Sequence, residues 1–117
     1  MKNLFQGFRD RIRETIAAAL RRTPTYAIER SRELPDRLKP RKIYLLGTPE
    51  PWSAALLCPC GCQQTIQISL LKNDSPSWRL RLNKRGQPSL SPSVWRKKGC
   101  RSHFFLTSGR IIWCPRR

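Results

Sequence analysis

Three cysteines fall within five residues at Cys58-Pro59-Cys60-Gly61-Cys62, and two further ligand types recur at Gly99-Cys100-Arg101-Ser102-His103. Nothing else in the chain restricts its fold as tightly. Pro59 narrows the backbone and Gly61 opens angles closed to other residues, which is the make-up of a tight turn. Two short ligand clusters separated by roughly forty residues suit a tetrahedral structural zinc site with ligands from each turn. Zinc takes four ligands, and the chain offers more candidates than places. Cys100 and His103 are expected from the second turn, and Cys58 with either Cys60 or Cys62 from the first. Cys114 is read as a packed thiol and stands as a substitute ligand. The competing interpretation treats all of these cysteines as buried small hydrophobes, which sits poorly with three of them in one turn.

Composition explains why such a staple is needed. Only 38% of residues are hydrophobic, and ten prolines and six glycines divide the chain into short pieces. Little apolar area over short elements leaves a small domain dependent on disulfides or a metal. Arginines interrupt the N-terminal segment, so no secretory signal is expected there. No run approaches the roughly 18 apolar residues of a membrane span. A cytoplasmic protein with reduced thiols is the expectation, and clustered cysteines there act as metal ligands before disulfides.

Apolar residues at Leu4, Phe5, Phe8, Ile12, Ile16, Ala19 and Leu20 recur at helical spacing, which predicts a basic amphipathic helix over 3–22. Thr23-Pro24 ends it. Residues 25–42 carry Pro35 and Pro40, with helical character expected around Tyr26 to Arg32 and a connection beyond. From Lys42 onward short strands are predicted at Ile43–Leu46, Trp52–Leu57, Thr65–Leu71 and Trp78–Leu82. His103–Thr107 and Arg110–Trp113 flank Ser108-Gly109 as a hairpin. The expected class is therefore α+β: a helical extension over 1–32, then a small antiparallel β domain over 33–117 with the zinc site between two turns.

The net charge is +17, from 24 basic and 7 acidic residues, and such a field attracts polyanions and acidic protein surfaces. Nucleic acid is thus one candidate partner, through a zinc-ribbon-like module. Trp95-Arg96-Lys97-Lys98 is the segment suited to it, an aromatic for stacking followed by three cations. The alternative places Trp95 in the core beside the second cysteine turn, with a solvated charge run after it. Catalysis is not expected. His103 is the only histidine; once it is assigned to the metal, no serine or cysteine has a base to activate it.

The segments Glu33-Leu34-Pro35, Lys42–Gly47, Cys58–Cys62, Trp78, Ser91-Pro92-Ser93-Val94-Trp95, Gly99–Phe104 and Trp113 together resemble an uncharacterised bacterial family of small cysteine- and histidine-containing proteins. The resemblance spans roughly residues 33–114. The family resembles one often encoded beside ubiquitin-like modifiers, an activating enzyme and a conjugating enzyme. It implies an accessory role in attaching a ubiquitin-like protein, with conjugation enzymes or the modifier as protein partners.

Overall fold

A computed structural model describes residues 25–115. Eight strands run in chain order: β1 (Ala27–Ser31), β2 (Lys42–Leu46), β3 (Ser53–Leu57), β4 (Thr65–Ser69), β5 (Arg79–Leu82), β6 (Pro88–Trp95), β7 (His103–Thr107) and β8 (Arg110–Trp113). They form two four-stranded sheets in sequential order, β1-β2-β3-β4 and β5-β6-β7-β8. Within the first sheet β1 pairs parallel to β2, while β2–β3 and β3–β4 are antiparallel. The second sheet is antiparallel throughout.

This corrects the α+β expectation. The described residues contain no helix and are all-β. The stretch around Tyr26 to Arg32, expected to have helical character, holds β1 instead. Its register against β2, Ala27 opposite Lys42 through Ser31 opposite Leu46, draws the extended chain into the sheet, and Glu29 meets Lys42 Nζ at 3.2 Å across the pair. Local propensity yields here to tertiary pairing. The helix expected over 3–22 lies outside the described residues.

Inward-facing residues of both sheets meet in one core. Ile43, Leu45, Ala54, Leu56, Ile66 and Ile68 come from the first sheet, and Leu90, Val94, Phe104 and Leu106 from the second. Alternation dictates that choice in β4, where Ile66 and Ile68 are buried and Thr65 and Gln67 are exposed. The continuous apolar run of β2 is different. Tyr44 and Leu46 are buried as well as Ile43 and Leu45, and the connection from β1 to β2 reaches Tyr44 on this second face. Tyr44 uses its polar end there: its hydroxyl oxygen accepts from the Lys39 amide at 2.9 Å.

The β7–β8 hairpin forms as the sequence predicts. Thr107 pairs with Arg110, and Ser108 and Gly109 both have positive φ, as a two-residue turn that follows the strand twist requires. β6 is less regular. Leu90 is opposite Leu106 and Val94 opposite Phe104, so Ser91, Pro92 and Ser93 together face Phe105 alone. Bulges of this kind bend a strand and re-aim its side chains.

Candidate functional site

Two groups of reactive side chains share one loop, residues 96–102, which joins β6 to β7: one includes Cys100 within the loop, and the other is formed by Ser93 and His103 on the strands it joins. The first is a thiol cluster. The Sγ atoms of Cys58, Cys60, Cys62 and Cys100 all lie within 4.8 Å of one another. Cys58 Sγ is 3.4 Å from Cys60 Sγ and 3.6 Å from Cys100 Sγ. Four sulfurs at about 2.3 Å from a common tetrahedral centre would be about 3.8 Å apart. The spacing therefore suits a metal ion, and the all-sulfur donor set suits a soft or borderline one.

The two turns build this cluster with one backbone device. Cys62 is flanked by Gly61 and Gln63, at φ 90 and 65, and Cys100 by Gly99 and Arg101, at φ 70 and 55. Left-handed residues on both sides curl the chain sharply around each cysteine, and glycine takes that conformation without cost at one position of each turn. The first turn is closed further by the Cys58 amide donating to the Gln64 carbonyl at 2.8 Å.

Positive charge and hydroxyl donors converge on the sulfurs. Arg96 Nη1 lies 3.4 Å from both Cys62 Sγ and Cys100 Sγ. Buried Ser102 places Oγ 3.1 Å from Cys100 Sγ and 3.5 Å from Cys58 Sγ. The hydrogen bond from the Ser102 hydroxyl, followed by that from the Ser102 amide, lowers the Cys100 pKa to about 6. Its thiolate, the form that binds metal, is thus favoured at neutral pH.

His103 is not part of this group. Its Nε2 lies 2.9 Å from Ser93 Oγ, so the chain's single histidine faces a hydroxyl. Ser93 is at the end of the β6 bulge, and His103 opens β7 opposite Trp95. The rings of Trp95 and His103 stack with centroids 5.0 Å apart and planes inclined by 16°. The Trp78 indole N–H donates to the Ser93 carbonyl at 3.2 Å, tying down the backbone beneath the hydroxyl. Residues 75–117 contain eleven Lys or Arg and no Asp or Glu. The second sheet therefore offers no carboxylate to orient the imidazole, whose ring is held by stacking on Trp95.

Of the expected ligands, the structure brings together Cys58, Cys60, Cys62 and Cys100, with both Cys60 and Cys62 present. His103 stands on Ser93 instead. Cys114 is also outside the cluster; its amide donates to the His103 carbonyl at 2.9 Å. Trp95 is 59% exposed, and Lys97 Nζ lies 5.5 Å above its ring. Ser93, against which His103 lies, is the residue that sequence reasoning did not single out. The available signal was a lone histidine in a chain with enough thiols to complete a metal site without it.

Among the described residues no helix is long and apolar enough to cross a membrane. No curated protein and no solved structure matches the chain. A family model described as "Bacterial ubiquitination-like system serine protease (BubE)" matches residues 30–114. That description overturns the expectation that the protein is not an enzyme. That expectation rested on giving His103 to the metal, whereas its imidazole lies against the Ser93 hydroxyl. The matched stretch includes both turns, Ser93 and His103, and covers most of the sequence; the chain belongs to the BubE family of the bacterial ubiquitination-like system.

Proposed function

We propose that the chain is a serine protease of a bacterial ubiquitin-like conjugation system, with Ser93 as nucleophile and His103 as general base. The observation that carries this is the 2.9 Å contact between Ser93 Oγ and His103 Nε2, within reach for proton transfer. With the proton of the imidazole on Nδ1, Nε2 accepts the Ser93 hydroxyl proton as Oγ bonds to the scissile carbonyl carbon. The C–N bond then breaks, and His103 returns the proton to the leaving amine. Water attacks the resulting ester and gives its proton to Nε2. The Oγ–C bond breaks, Ser93 recovers a proton, and the acid product leaves. Stacking on Trp95 fixes the ring plane and places a π-face beside the imidazolium that forms.

The cysteine cluster is assigned a structural role, holding zinc through Cys58, Cys60, Cys62 and Cys100. Four protein thiolates complete a tetrahedral zinc and leave no open position for substrate. Bound there, the ion cross-links the turn after β3 to the loop between Ser93 and His103. A cytoplasmic setting with reduced thiols suits such a site. The substrate is a protein of the conjugation system, and the positive charge serves that partner in preference to nucleic acid.

The test is covalent labelling of the purified full chain with a serine-directed fluorophosphonate. The label is expected on Ser93 and absent from Ser93→Ala and His103→Ala. Labelling of Ser93→Ala to the same extent as the wild type would refute the assignment.

A further inference from the structure

β6 outlasts its neighbour. On one side its pairing with β5 ends at Arg79 opposite Ser91, while β6 continues to Trp95. Just before β5 the chain turns away, and the Trp78 amide donates to the Ser69 carbonyl of β4 at 2.8 Å. Among the described residues no strand pairs with β6 on that side past Ser91.

The direction of the unpaired groups follows from the ladder. The Arg96 amide donates to the Ser102 carbonyl at 2.8 Å. Arg96 and Val94 therefore direct their backbone polar groups toward β7, since these alternate along a strand. Trp95 directs its N–H and C=O the opposite way, onto the open edge. At Ser93 the edge carbonyl is already taken by the Trp78 indole. Trp95 thus offers this edge one donor and one acceptor, two residues from the nucleophile.

The sequence on either side of this edge carries charge of one sign. Arg79 flanks its start, and Arg96, Lys97 and Lys98 follow Trp95, in a segment without any acidic residue from 75 to 117. We infer that the open edge of β6 at Trp95 receives the substrate as an added strand. The occupant is an extended, acid-bearing segment of the protein substrate, hydrogen-bonded to the Trp95 N–H and C=O so that its scissile carbonyl reaches Ser93. This rests on the protease assignment for Ser93 and deepens it by naming how substrate is held. Strand addition draws affinity from backbone bonds and selectivity from the flanking side chains. Here those are the exposed Trp95 indole and the cations at each end.

Binding is tested apart from cleavage, in the full-length Ser93→Ala chain labelled with ¹⁵N. The probe is a capped, proline-free peptide of about twelve residues in which glutamate alternates with valine and alanine. A lysine-for-glutamate counterpart is the control. Saturation with the acidic peptide is expected to slow hydrogen exchange at the Trp95 amide about tenfold or more, and to leave the Val94 amide unchanged. The lysine peptide is expected to leave both unchanged. Absence of binding by the acidic peptide, or binding that leaves the Trp95 amide unprotected, overturns the inference. Protection that grows with protein concentration in the absence of peptide also overturns it, by assigning the edge to a second copy of this chain. Fluorophosphonate labelling of the wild type reports separately on the protease assignment, so an unprotected Trp95 in a chain that labels at Ser93 defeats the docking edge alone.

Discussion

Ser93 and His103 are ten residues apart in sequence and 2.9 Å apart in space, on adjacent strands joined by the loop that also carries Cys100. The irregular stretch of β6 between Leu90 and Val94 adds residues to one strand only, and Ser93 comes to the imidazole at its end. In the regular ladder beyond it, Val94 faces the core against Phe104 while Trp95 and His103 share the outer surface.

If the two residues act as a unit, their losses will not add. Ser93→Ala, His103→Ala and the double variant are each expected to lower kcat for a cleaved peptide by about a thousandfold or more, to a similar floor. Steady-state kinetics on the three proteins checks this. Melting temperatures should move little, because both side chains are only partly buried. Full activity in His103→Ala would remove the general base from the mechanism.

Metal content separates the two sites. The purified chain is expected to hold zinc, and serine variants of Cys58, Cys60, Cys62 and Cys100 are each expected to lose it. His103→Ala and Cys114→Ser should keep it. Since structural zinc contributes about 10–16 kcal/mol in small modules, chelation should unfold the sheets and abolish activity together. Elemental analysis and circular dichroism give the readouts, and a zinc-free His103→Ala would return the histidine to the ligand set.

Arg96 is expected to govern how firmly the metal is held. Its guanidinium lies 3.4 Å from two sulfurs and offsets the charge of the thiolates. Arg96→Ala should weaken zinc affinity about 10–100-fold, the scale seen when groups bonded to metal ligands are removed. Arg96→Lys should fall between that variant and the wild type, since an ammonium keeps the charge but loses the two-sulfur reach. Competition with a chromophoric chelator measures the change; an unaltered affinity in Arg96→Ala would dismiss this role.

Trp95 is expected to act as a positioning residue for His103. Trp95→Ala should lower kcat, and Trp95→Phe should restore part of it by returning an aromatic face. With the side chain 59% exposed, neither change should cost more than about 1 kcal/mol of stability. Thermal melts alongside the kinetics distinguish the two effects. A large fall in melting temperature with kcat retained would make Trp95 a structural residue.

Much of the molecule was legible in the chain because its signals are local. The two cysteine turns announce themselves through glycine and proline beside clustered thiols. β4 shows its period of two, and Ser108-Gly109 carries the turn chemistry of its hairpin. β6 was hidden for a local reason as well. Pro88 and Pro92 argue against a strand, yet Pro92 lies between Leu90 and Val94, where the ladder register is broken and a missing donor is tolerated. β1 was hidden because a short charged stretch becomes a strand only through β2.

The partner of His103 was decided by tertiary structure alone. A Cys-x-x-His spacing is equally compatible with a fourth metal ligand and with a catalytic base, because spacing does not specify which way a side chain faces. Pairing β7 between β6 and β8 turns Phe104 into the core, and with it His103 outward onto Ser93, away from the thiols. Cys60 and Cys62 then complete the cluster together, as curling of both turns brings in a sulfur that the linear order counted as spare. The sequence determined that two cysteine-bearing turns exist; the strand register, set by contacts between distant residues, determined that the histidine lies against a serine.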